Sequence, residues 1–140
     1  MSESNIYTAG LQNAGSYIVS GKPFLTGSDG NFTVEQTVTF PYVTKRIVIE
    51  NTRGGSGTPN KALRVSLKSV SAGNVVSNFH YFDLANDISE GKMSIDLNFK
   101  VKEIFLSSPG SSSTAFRLYA ELTDIPSDKM FDLSGAGVDE

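Results

Sequence analysis

MSIDLNFKV, residues 93–101, alternates apolar and polar side chains without a break. Met93, Ile95, Leu97, Phe99 and Val101 fall on one side, and Ser94, Asp96, Asn98 and Lys100 on the other. Side chains repeat with a period of two only on an extended strand, so this run predicts a strand with one buried and one wet face. The same pattern recurs along the chain. FTVEQTVTF (32–40) puts Phe32, Val34, Gln36, Val38 and Phe40 on one face, and ALRVSL (62–67) does the same with Leu63, Val65 and Leu67. KRIVIEN (45–51) is β-branched and nearly continuous, as an interior strand is; EIFLSS (103–108) and TAFRLYAEL (114–122) complete the regular set. NVVSNFHYFDL (74–84) also reads as a strand.

Turn-forming stretches separate these runs. SDGN (28–31) suits a tight hairpin because Asp-Gly tolerates positive φ. RGGSGTPN (53–60) and SPGSSS (108–113) read as longer loops, and NDISEGK (86–92) holds a helical turn at most. About eight strands with turns every ten residues or so predict an all-β fold, an antiparallel β-sandwich or jelly roll. The sandwich should occupy residues 14–125, with an N-terminal arm over 1–13 and a C-terminal arm over 126–140. A chain of 140 residues can bury roughly 70% of its unfolded surface, so the core needs no metal or cross-link. The chain has no cysteine with which to form one.

FPYVTKRIVIEN (40–51), a Gly/Ser loop and ALRVSL are echoed by FKVKEIFLSS (99–108), a Gly/Ser loop and AFRLYAEL. Either alternating hairpins resemble one another by necessity, or two equivalent hairpins face each other across a pseudo-two-fold axis. On both readings these residues are core.

The chemistry-bearing residues do not converge in the sequence. His80 is the one histidine, set in NFHYFDL, and is expected to be a partly buried structural residue. Glu35, Asp96, Glu103 and Glu121 fall on polar strand faces, where solvated charges belong; Asp83, Asp87 and Asp124 lack the spacing of a calcium loop. RGGSGTPNK lacks the Gly-Lys-Ser/Thr ending of a phosphate-binding loop and leads into a strand. The expectation is a protein that is not an enzyme, with no cofactor and no metal. A net charge of −3 with scattered lysines and arginines offers no footprint for nucleic acid. No apolar run spans a bilayer and MSESNIYTAG lacks a leader's pattern, so no membrane partner is expected and Asn31-Phe32-Thr33 is read as a chance sequon. A glycan-binding module would favour exposed Trp, which is missing, and the five tyrosines are scattered.

NAGSYIVSGKPFLTGS (13–28), VTKRIVIEN (43–51) and AELTDIPSDKMFDLSGAGV (120–138) together resemble small virion proteins of tailed bacteriophages, particularly marine and cyanobacterial ones. In that group Gly-Ser-Tyr leads into Gly-x-Pro-aromatic-aliphatic-Thr-Gly. A Thr-Lys-x-Ile-x-Ile/Val strand follows, and the end is a short arm with Ser-Gly-x-Gly. The resemblance implies a structural role in the virion, assembled in the host cytoplasm: decorating or cementing the capsid in many copies, or sitting at the tail or a head fibre. Its partners would be copies of itself, a trimer suiting threefold capsid positions, and the major capsid protein or another virion protein. The glycan-binding adhesion module stays open as the alternative.

Both arms carry isolated apolar residues, and arms can add a strand to a neighbour's sheet edge. The expected contacts between chains are therefore Tyr7, Leu11, Tyr17, Phe24, Met130, Phe131 and Leu133. Gly15, Gly21 and Pro23 mark residues 13–28 as an edge strand, because proline cannot donate to an interior ladder. Removing residues 127–140 should leave the sandwich folded and abolish binding to the particle.

Overall fold

A computed structural model describes residues 22–53, 61–71, 74–87, 89, 91–110 and 112–133. Eight strands run in chain order: β1 Lys22–Gly27, β2 Gln36–Thr39, β3 Tyr42–Asn51, β4 Leu63–Ser66, β5 Tyr81–Leu84, β6 Ser94–Leu97, β7 Glu103–Ser107 and β8 Phe116–Pro126. They form two four-stranded antiparallel sheets, β1-β8-β3-β6 and β2-β7-β4-β5. The pairs β1·β8, β2·β7, β3·β6 and β4·β5 are those of one long hairpin folded over at its middle. The contacts β8·β3 and β7·β4 close it into the two sheets of a jelly roll.

Alternation does what it predicts wherever a strand has a sheet behind it. Ile47 and Ile49 of β3, Leu63 and Val65 of β4, Ile104 and Leu106 of β7, and Leu118, Ala120 and Leu122 of β8 all point into one core between the sheets. Phe40 is fully enclosed there and meets the edge of Phe24 at 5.2 Å, which seals the side of the sandwich where β1 and β2 lie. Each of the larger side chains removed from water stabilises the fold by about 1.5–3 kcal/mol before entropy is counted.

The phase of the alternation changes where β3 meets β8, and the change positions the elements at that end of the molecule. The β3·β8 register shifts between Tyr42 and Arg46. There two successive residues are buried on each strand, Val43 and Thr44 on β3 and Leu122 and Thr123 on β8. A bulge of this kind leaves backbone groups without ladder partners, and two enclosed threonines take them up. Thr44 Oγ1 donates to the Phe99 carbonyl at 2.6 Å and accepts the Val101 N–H at 3.0 Å. Thr123 Oγ1 donates to the Val43 carbonyl at 2.7 Å. Val43 and Ile125 are thereby turned out of the main core into a second small cluster, closed by Met130.

Several sequence expectations are corrected. The strand foreseen over 32–40 is confined to Gln36–Thr39; Phe32 makes a single bridge to Thr114, and Val34 is 73% exposed. Glu35 is drawn instead toward the β4–β5 connection, accepting from Ser69 Oγ at 2.6 Å and the Val70 N–H at 2.8 Å. The strand foreseen over 74–84 divides into a helical turn, α1 Asn74–Ser77, and β5. Val75 is enclosed, the His80 N–H donates back to its carbonyl at 2.9 Å, and Phe79 takes φ 59° to make the closure. SDGN is no hairpin: it links β1 to β2 in opposite sheets, with Gly30 at φ 75°. The echoed blocks are not hairpins either. β3 to β4 and β7 to β8 each cross between sheets, and a shift of four strands maps the order of one sheet onto the other. The N-terminal arm, 1–13, and the loop residues 54–60 lie outside the described residues.

Candidate interaction site

The segment after β8 is held by its own residues against the end of the sandwich. A 3-10 turn over Ser127–Lys129 redirects the chain. The Ser127 N–H donates to the Pro41 carbonyl at 3.2 Å, and Ser127 Oγ donates to the Phe40 carbonyl. Met130, 6% exposed, then drops onto Val43 and Ile125, while Leu133 packs half-buried against the main core. Phe131, between them, points outward and is 65% exposed. This in-and-out placement is the local consequence of extended backbone, since Met130 has φ −88° and ψ 139°.

A groove of about 310 Å³ lies between this segment and residues 98–101, with Leu67, Phe99 and Val101 on one side and Met130, Phe131 and Leu133 on the other. Its far wall exists because Thr44 fixes residues 99–101 beside the bulge. Its near wall is latched by Lys102, whose ammonium pairs with the Asp132 carboxylate and reaches the Met130 carbonyl at 3.4 Å. The hydrogen bond from Lys102, its charge, and the more distant charge of Lys68 hold the Asp132 carboxyl below the ordinary carboxylate value of 3.8.

The second exposed apolar feature lies on the outer face of the β1 sheet. Leu25 of β1 faces Tyr119 of β8, which faces Val48 of β3, so the three form one row across the strands. Ion pairs bracket the row. Arg117 pairs with Glu50 on one side; on the other, Arg46 reaches Glu121 at 3.9 Å and grips Asp96, which faces Val48 at the row's end, at 2.6 Å. The guanidinium, by hydrogen bond first and charge second, keeps the Asp96 carboxyl below its ordinary value. Such exposed, solvent-screened pairs add little stability and set the edges of the apolar row.

Of the residues expected at contacts between chains, Tyr7, Leu11 and Tyr17 lie outside the described residues. Phe24, Met130 and Leu133 contribute to packing within the chain, and Phe131 projects from it. The part of the expected C-terminal arm that is described, 126–133, thus lies on the body of its own sandwich. Two apolar features went unread in the sequence. The Leu25–Tyr119–Val48 row depends on strand order, which no local pattern encodes. Phe79, 76% exposed and tilted against Tyr81 at 5.9 Å, is hidden in the sequence by the strand-like pattern of NFHYFDL.

His80 is partly buried. Among the described residues no three His, Asp or Glu side chains come together in a group that could hold a metal ion. No described helix is long and apolar enough to cross a membrane. No protein family, curated protein or solved structure matches the chain.

Proposed function

We propose that this chain is a non-enzymatic structural protein of a tailed-phage virion that decorates or cements the capsid in many copies. The observation that carries the reading is the exposed Phe131 beside its apolar groove, held on a segment that the body itself fixes in place. A fixed aromatic next to an open apolar trough offers a protein partner a preorganised anchor, because little side-chain or loop entropy remains to be lost on contact. One such anchor per chain binds weakly, and repetition over a particle surface multiplies it. The resemblance of residues 13–28, 43–51 and 120–138 to phage virion proteins supplies the class of partner, a capsid or other virion protein.

The test is the position of the chain in an electron-microscopy map of the particle, together with a Phe131→Asp variant. Sandwich-sized density repeated over the head is expected, with the 126–133 segment turned toward the shell. The variant should keep its unfolding midpoint and be lost from purified particles. Density confined to the tail or a fibre would displace the capsid role, and saturable sugar binding on a glycan array would favour the adhesion module.

A further inference from the structure

We infer that the free edge of β1 is a two-fold contact between two copies of this chain, centred on Leu25. The inference does not rest on the virion role and holds or fails by itself.

β1 closes one end of the β1-β8-β3-β6 order, so its outer side has no strand beside it among the described residues. The direction of its backbone groups follows from the ladder. The Ser28 N–H donates to the Phe116 carbonyl at 3.0 Å, one step beyond the Gly27–Arg117 pair. In an antiparallel pair such residues alternate, so Lys22, Phe24 and Thr26 turn their N–H and C=O groups toward β8. Pro23, Leu25 and Gly27 turn theirs outward. The open edge therefore presents carbonyls at all three positions and N–H donors at Leu25 and Gly27 only, since proline has none.

An edge of this composition is complementary to itself. When a second β1 is laid antiparallel with Leu25 opposite Leu25, the two leucines exchange N–H···O=C bonds in both directions. Each Gly27 N–H then meets the Pro23 carbonyl of the other copy, so every outward donor finds an acceptor and the missing proline N–H strands no donor. The side chains agree with the backbone. Leu25 is 71% exposed on the outer face, so the row Val48–Tyr119–Leu25 would continue through the second copy's Leu25 and Tyr119 to its Val48. Cross-strand apolar pairs of this kind reinforce a ladder. The two four-stranded sheets become one of eight strands, with an apolar stripe across its middle that ends at Asp96 of each copy and the Arg117–Glu50 and Arg46–Glu121 pairs on its flanks.

Light scattering on the full chain should give twice the 15.0 kDa of one copy. Leu25→Lys and Leu25→Glu each place like charges opposite one another at the two-fold axis. Each variant alone should run as a monomer with an unchanged far-UV circular dichroism spectrum, and an equimolar mixture should recover the doubled mass. Amide hydrogen exchange gives a reading without any variant: Leu25 and Gly27, although turned away from β8, should exchange slowly in the wild type and speed up on dilution. A wild-type monomer overturns the inference, as does an oligomer whose mass survives both charged variants. Slow exchange at Leu25 and Gly27 in a monomer also overturns it, because the cover would then come from the chain itself.

Discussion

Thr44 shows how much one hydroxyl can be asked to do. Enclosed at the β3 bulge, it satisfies the Phe99 carbonyl and the Val101 N–H, and so holds the far wall of the candidate groove against β3. Thr44→Val keeps the shape and removes both bonds, leaving the Val101 N–H buried and the Phe99 carbonyl half-buried without their Thr44 partner. The expected loss is about 1–3 kcal/mol, the usual penalty for an orphaned buried polar group. It should appear as a lower urea midpoint with an unchanged slope. In the sequence this threonine is only a good strand former within VTKRI. Its task depends on a segment 55 positions later in the chain, and no local pattern carries that information.

At the scale of elements, the 126–133 segment combines an apolar anchor, Met130, with an ionic latch, Lys102–Asp132. The folded-state carboxyl of Asp132 lies below its ordinary 3.8, so the latch contributes stability that is complete above that value. The contribution is lost as pH falls through the lower, folded-state value, where the carboxylate takes up its proton. Asp132→Asn should therefore unfold at a lower temperature than the wild type near neutrality, and the gap should close on acidification below the ordinary carboxylate range. Thermal melts of the two proteins across that range check the sign. A gap that widens in acid would show that Asp132 is not held by Lys102. Met130, Phe131 and Leu133 were expected together at contacts between chains; which of them turn inward was not legible, because that is decided by the cluster of Val43 and Ile125 beneath Met130.

Over the whole molecule, the end segment and the sandwich share their packing. Deleting residues 127–140 would remove Met130 and Leu133 along with Phe131, so a loss of particle binding would be entangled with damage to the fold. Met130→Ala separates the two, with an expected cost of about 2–5 kcal/mol in chemical denaturation, as for other buried methionines. Phe131→Asp should cost almost nothing by the same measurement. The jelly-roll order also accounts for the echo between residues 40–51 and 99–108. β3 and β7 occupy positions exchanged by a shift of four strands, each interior to its sheet and each followed by a loop that crosses to the other. Equivalent surroundings ask for the same pattern of apolar and polar residues.

The sequence alone determined the class of fold and most of the core. Burial of one face imposes a period of two, and residues such as Ile47, Ile49, Leu63, Val65, Ile104 and Leu118 report that period locally. It also marked residues 13–28 as edge strand, since Pro23 cannot donate to a ladder; β1, the described part, is an edge. The folded chain alone settles the places where the period breaks or where neighbours come from far along the chain. These are the bulge that changes phase at Thr44 and Thr123, the turn at Phe79 that divides an apparent strand, and the row of Leu25, Tyr119 and Val48. Each depends on which strand lies beside which, and strand order is set by the closure of the whole roll.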